Sequence, residues 1–270
     1  MLLAIDVGNT HTTCGLFSER SLLHTFRIET RPSRTADEHA VLLQQLVGLR
    51  GLTREAVDDA ILASVVPPVT EVLVEAVRLA FDCEALIVGP GIKTGISVVS
   101  QSSREVGADR IVNAVAVHDV VPPERGAIVV DFGTATTFDC VSPKGEFLGG
   151  AIVPGVQVSL DALVRHAAKL QPVEIVAPPQ VLGRNTTQAI QSGVVHGYAS
   201  LVEGLVAKLK RELPFECSVI ATGGLGTLIA AHATCFDGVE PELTLRGLRI
   251  LWERNKPHHK KSQAPSARAH

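Results

Sequence analysis

The chain has 270 residues, 46% of them apolar, which is enough to bury a sizeable core as one large domain or two small ones. A formal net charge of −3 excludes the strongly basic footprint of an electrostatic nucleic-acid binder, and the apolar content excludes a natively disordered chain. Five cysteines, Cys14, Cys83, Cys140, Cys217 and Cys235, are an odd number with no C-x-x-C pair, and predict reduced, buried thiols instead of a disulfide frame or a zinc site. Asp6 interrupts the first apolar run before any basic leader, and no apolar stretch approaches the roughly 20 residues that span a bilayer, so a cytoplasmic protein without a membrane or nucleic-acid partner is expected.

In chain order, residues 2–6 form a short apolar strand ending in Asp6-Val7-Gly8-Asn9-Thr10, and β-prone residues 12–17 and 22–28 follow across a polar turn at 18–21. Thr35-x-x-Glu38 is a capping box that opens an amphipathic helix to about residue 49. Residues 60–66 read as a buried strand stopped by Pro67-Pro68, 69–81 as a helix, 85–88 as a strand and 109–120 as a helix. Residues 127–130 then form an apolar strand ending in Asp131-Phe132-Gly133-Thr134, followed by β-prone 136–141, a turn at Ser142-Pro143-Lys144-Gly145 and a strand at 146–148. Helices are predicted over about 158–169, 186–212, 225–232 and 244–254, with a strand at 218–221. Residues 256–270 are basic and rich in Pro, Ser and His, which predicts a disordered tail.

The two Asp-x-Gly meanders superimpose at an offset of 125, placing Asp6 on Asp131, Gly8 on Gly133 and Thr12 on Thr137. Each half is a three-stranded meander followed by alternating β and α elements, so the chain reads as an ancient duplication over 1–118 and 119–255. The predicted fold class is α/β, with duplicated ribonuclease H-like domains as in the actin/hexokinase/acetate kinase superfamily and an active-site cleft between them.

Gly8 lets backbone approach a phosphate, Asn9 and Thr10 offer donors, and Asp6 can hold a metal-bound water. A tight turn alone would also explain Gly8 and Asn9, but it gives no reason for the aspartate, glycine and threonines to recur in the second half. Thr134, Thr136 and Thr137 offer hydroxyls after Gly133, or merely suit a strand. Thr222-Gly223-Gly224 is either a plain strand-to-helix connection or a gap that admits a flat base. Asp109 is either the N-cap of the helix it opens or a base that accepts a hydroxyl proton, with Arg110 reaching an anionic group.

D-V-G-N-T at 6–10, S-V-V-P-P at 64–68, G-A-D-R at 107–110, D-F-G-T-A-T-T at 131–137, G-G-A-I-V-P-G at 149–155, G-R-N-T at 183–186 and A-T-G-G at 221–224 together resemble the type III pantothenate kinase (Bvg accessory factor-like) family, in order from residue 1 to about 255. The resemblance implies ATP-dependent phosphorylation of pantothenate, the first step of coenzyme A synthesis, by a homodimer using Mg²⁺ and a monovalent cation, K⁺ or NH₄⁺. It implies Asp109 as general base, and Gly107, Ala108, Asp109, Arg110 and Thr186 as pantothenate-binding residues, Thr186 near the dimer interface. For ATP it implies Asp6, Val7, Gly8, Asn9, Thr10, His11, Thr12, Thr134 and Gly223; Asp131 would hold the monovalent cation and Asp6 a water on Mg²⁺. Where the family carries a tyrosine and an Asp-Asn-Pro-like segment, this chain reads Ile96-Ser97-Val98-Val99-Ser100-Gln101-Ser102-Ser103, with Ser100 in the tyrosine's place, which implies a rebuilt wall of the pantothenate pocket. Two rival readings are a kinase of the same architecture acting on another small alcohol or acid, and a non-catalytic accessory protein. Retention of Asp6, Asp109 and Asp131 argues against the second.

Overall fold

A computed structural model describes residues 1–99 and 106–256. The Ser100 position and the tail beyond Lys256 lie outside the described residues. Strands β1 (Leu2–Val7), β2 (His11–Ser18) and β3 (Ser21–Glu29) form the predicted meander. Helix α1 (Ala36–Gly48) opens with the predicted capping box: the Glu38 N–H donates to the Thr35 hydroxyl at 3.3 Å, and the Thr35 N–H donates to the Glu38 carboxylate at 2.7 Å. Strand β4 (Asp59–Ser64) runs parallel to β1, and β5 (Ala85–Ile87) parallel to β4. Between them lies α2 (Pro67–Phe81), whose first two residues are the prolines read as a strand stop. Proline suits that place because the first-turn N–H has no partner within the helix.

Strand β6 (Ser97–Val98) and helix α3 (Ala108–Val120) precede the second meander, β7 (Gly126–Phe132), β8 (Ala135–Val141) and β9 (Glu146–Pro154). There follow α4 (Val156–His166), α5 (Thr186–Glu212), β10 (Cys217–Thr222), α6 (Gly226–Ala230), β11 (Gly238–Val239) and α7 (Leu243–Asn255). One sheet has the order β3-β2-β1-β4-β5; the other, β11-β10-β7-β8-β9-β6, repeats it when read from β9 to β11, with β6 added outside.

The register refines the repeat. Strand β3 maps on β9 at the expected offset of 125, but β2 maps on β8 at 124, because the second hairpin turn is one residue shorter. Thr12, opposite Val7, therefore corresponds to Thr136, opposite Phe132, and not to Thr137. Both meanders carry a bulge at the same place, between Leu16 and Phe17 and between Cys140 and Val141, leaving Leu23 and Leu148 as the extra residues. A shared bulge is a detail that fold convergence has no need to reproduce.

Successive side chains on a strand face opposite sides. On β1, Leu3, Ile5 and Val7 enter a core under α1 and α2, while Leu2 and Ala4 enter a middle core that also takes Ala127 and Val129 of β7. Ile128 and Val130 face a third core with α4, α5 and α6. The two sheets thus share a middle layer made by α3 and α7. Helix α3 lies on β7 and β8 although it precedes them in the chain, and α7 returns to β1, β2 and β4. Where the helices cross, a Cβ at Gly247 would run into the Val112 carbonyl oxygen, so glycine permits the close approach. All five cysteines are free, Cys14, Cys140 and Cys217 being buried. Among the described residues no helix is long and apolar enough to cross a membrane.

Candidate active site between the two hairpins

The alternation that buries Leu2 and Ala4 in the middle layer sends Asp6 to the same face of β1, and the alternation of Ala127 and Val129 does the same for Asp131 on β7. Asp109 meets them from the first turn of α3. Its helix is capped by the backbone of Gly107, with no side-chain cap bond, so Asp109 is not the N-cap; its carboxylate accepts the Arg110 N–H at 2.8 Å and otherwise faces the site.

Burial pushes the Asp6 carboxyl up to about 8, and the charges of Asp109 and Asp131 add to the rise. Asp131 is pushed up to about 7 by burial, against the lowering by its hydrogen bond from Asn113, with Asp109 and Asp139 raising it further. Burial also raises Asp109, while Arg110 pulls it back. Asp109 raises the proton affinity of Asp6 and Asp131, and Asp131 that of Asp6, so the three acids form a site that a cation would relieve. Among the described residues no group of three metal-ligating side chains is close enough to hold an ion alone.

The hairpin tips meet beside these acids. The hydroxyls of Thr10 and Thr134 lie 3.1 Å apart, the Gly8 N–H donates to the His11 carbonyl at 3.0 Å, and the Gly133 N–H donates to the Ala135 carbonyl at 3.1 Å. Asn9, Thr10, His11, Gly133 and Thr134 are exposed, whereas Val7 and Thr12 are buried. Thr12 shares a hydroxyl contact of 2.9 Å with Thr30, which in turn donates to the Gly8 carbonyl at 2.8 Å, so Thr12 braces the turn from beneath. Gly223, at φ 85°, closes the end of β10 against Asp131: a Cβ there would strike the Asp131 Oδ1. Gly107 and Ala108 lie at the start of α3 next to Asp109. Thr186 is not brought to this cluster; it is exposed at the start of α5, whose buried residues Ile190 and Val194 belong to the core on the far side of the second sheet.

Two polar groups escape a reading of the sequence. Asn113 donates from Nδ2 to Asp131 Oδ2 at 2.9 Å and accepts the Thr244 hydroxyl on Oδ1 at 2.8 Å. Its only local signal is the i+4 spacing that puts it on the Asp109 face of α3. Asp139, fully buried on β8, accepts Arg110 Nε at 2.7 Å and Nη2 at 2.5 Å on one oxygen and the Thr137 hydroxyl at 3.1 Å on the other. The Arg110 guanidinium also lies 5.3 Å from the Phe147 ring centroid.

Buried acids beside two hairpin tips that carry glycines and hydroxyls, with a carboxylate at a helix start, can cradle polyphosphate and take a proton from an alcohol. A model of the type III pantothenate kinase family matches residues 2–208. The chain is 52% identical over 259 residues to the type III pantothenate kinase of Anaeromyxobacter sp. (strain Fw109-5), covering 95% of this chain and 100% of the relative. It is 48% identical over 255 residues to the type III pantothenate kinase of Myxococcus xanthus (strain DK1622), covering 94% and 99%. Among solved structures, the candidate N-acetylglucosamine kinase of Porphyromonas gingivalis superimposes with a TM-score of 0.50 at 14% identity, covering 94% and 99%, a likeness of fold alone.

Proposed function

The chain belongs to the type III pantothenate kinase family, and we propose that its cleft transfers the γ-phosphoryl group of ATP to pantothenate with Asp109 as the general base. The reaction gives 4′-phosphopantothenate and ADP, and opens coenzyme A synthesis in the cytoplasm. The observation that carries the assignment is the position of Asp109: first turn of α3, its carboxyl raised by burial, and within electrostatic reach of both Asp6 and Asp131.

Phosphoryl transfer runs through a loose transition state, so alignment and charge neutralisation carry most of the catalysis. Asp109 holds the primary hydroxyl of pantothenate and accepts its proton as the oxygen bonds to the γ-phosphorus and the bridge to ADP breaks. The backbone of Gly8, Asn9 and Thr10 and the Thr134 hydroxyl orient the phosphates, and Gly223 leaves room for the nucleoside beside Asp131. Asp6 would hold Mg²⁺ through a water, and the ion would supply neutralisation of the phosphate charge; Asp131 would hold a monovalent cation, K⁺ or NH₄⁺. Arg110 offers its guanidinium to the pantothenate carboxylate, beside Gly107 and Ala108.

A homodimer is part of the same proposal, with Thr186 reaching the pocket from the second copy. Its support is apolar surface near Thr186, where Val181 is 66% and Leu182 75% exposed. The two repeats, 1–118 and 119–255, are proposed as the units that flank the cleft.

The test is turnover of the purified protein with ATP, Mg²⁺ and pantothenate, with and without K⁺ or NH₄⁺. Asp109→Asn should lower kcat by about 10²-fold or more, the usual range for a lost general base, while ATP still binds. Near-normal turnover of that variant refutes the base. Turnover of another small alcohol with none of pantothenate refutes the acceptor and leaves the kinase.

A further inference from the structure

Arg110 enters the site already engaged. Its Nε and Nη2 form one edge of the guanidinium, and both donate to Asp139. Arginine has a second planar edge, made by Nη1 and the outer N–H of Nη2, which can meet a carboxylate bidentately. We propose that Asp139 is a positioning residue that clamps the inner edge of Arg110 so that its outer edge is presented to the carboxylate of the acceptor substrate, which makes it a determinant of acceptor specificity. The inference rests on the reading that Arg110 meets that carboxylate.

The duplication supplies an internal control for a merely structural role. Helices α3 and α7 are each 13 residues long, and matching their first residues places Leu245 where α3 has Arg110. The β2-to-β8 offset places Gly15 where β8 has Asp139. Leu245 does pack against Gly15: a Cβ on that glycine would lie 3.0 Å from the Leu245 Cδ1. One of the two equivalent junctions between helix and sheet is therefore filled by an apolar contact, and the other by a buried ion pair. Packing alone needs no charge there, and a buried pair stabilises a fold no better than well-packed apolar residues. The pair stands at the junction whose helix start bears Asp109, one helical residue from the base. Thr137 holds the free oxygen of Asp139, and the Phe147 ring stands beside the guanidinium, so the clamp is built from three residues on β8 and β9.

The experiment compares wild type, Asp139→Asn and the milder Thr137→Val in steady-state kinetics. The acceptors are pantothenate and an analogue whose carboxylate is replaced by a primary alcohol. Asp139→Asn is expected to raise the pantothenate KM at least about tenfold, as befits a misplaced charged hydrogen bond. The KM for ATP should stay unchanged, kcat should fall less than KM rises, and the preference for pantothenate over the neutral analogue should shrink by the same factor. Thr137→Val should shift the same two quantities in the same direction by less, and it carries the test alone if Asp139→Asn does not fold. An unchanged acceptor preference, or equal rises in both KM values, overturns the inference. Wild type that does not use pantothenate overturns the reading beneath it, a result distinct from an active wild type whose preference ignores Asp139.

Discussion

Asp6 shows how much of this site's behaviour is set by burying acids beside one another. Its folded carboxyl titrates near 8 against 3.8 for a free aspartate, because burial and the neighbouring Asp109 and Asp131 disfavour the anion. A raised folded value means that the native state binds the proton more tightly than the unfolded chain. Its contribution is therefore fully present below about pH 4 and is lost as pH rises through 8. Asp131, near 7, and Asp139, near 6, act in the same direction over narrower windows. The ligand-free protein should lose thermal stability between pH 5 and 8, and Asp6→Asn should flatten that slope and raise Tm at pH 8 by roughly a few degrees. Melting curves across pH for both proteins check this, and a wild-type Tm that climbs through this range refutes it. Mg²⁺ with ATP should lift the wild-type Tm most at the alkaline end, where the acids are charged. Asp6 and Asp131 could be picked out of the sequence because a recurring Asp-x-Gly is a local signal. Asp139 could not, since its meaning depends on Arg110, which is 29 residues away on another element. Nor could the place of Thr12, because a turn shortened by one residue is invisible until strands are paired.

At the level of elements, the crossing of α3 and α7 decides whether Asp109, the proposed base, stands in place. Gly247 sits in mid-helix, where exchanging glycine for alanine ordinarily gains about 0.5–1 kcal/mol of helix stability. Here the new Cβ would collide with the Val112 carbonyl oxygen, also a backbone atom that cannot swing aside. Overpacking of that kind costs about 1–3 kcal/mol, so the net sign for Gly247→Ala is destabilising. Because Asp109 and Arg110 begin the displaced helix, kcat should fall as well; urea denaturation and turnover of the variant measure the two effects. An alanine variant as stable as wild type contradicts the close crossing. The helices themselves were readable, the bounds of α5 most closely, since caps and 3.6-residue periodicity are written locally. The two-residue strands β6 and β11 were not, because their pairing is imposed by β9 and β10 and not by their own sequence.

Across the whole molecule, three contacts join residues that the duplication makes equivalent or nearly so: Thr10 with Thr134 at the hairpin tips, Val112 with Gly247 at the helix crossing, and the paired sheets around one middle core. Contacts between like positions are what a pseudo-two-fold relation between the repeats produces. The chain expresses this by exchange: α7 covers β1, β2 and β4 of the first sheet, and α3 bridges the two, on β7 and β8 of the second and β4 of the first, so each repeat contributes to the other's middle layer. The sequence revealed two repeats but not this exchange, because which sheet a helix covers is decided by long-range packing. The inner face of the first sheet is covered in large part by the second repeat's helix, since Leu243, Leu248 and Leu251 of α7 are all in the shared core with Leu2, Ala4 and Ile61. Two repeats coupled in this way should unfold together. Calorimetry of the full chain should show one transition whose van't Hoff and calorimetric enthalpies agree when counted per unit that melts, and Mg²⁺ with ATP should move that single transition upward without splitting it. Two resolved transitions, or a ligand that shifts only one of them, would mean that the halves melt apart and that the exchanged helices do not bind them into one body.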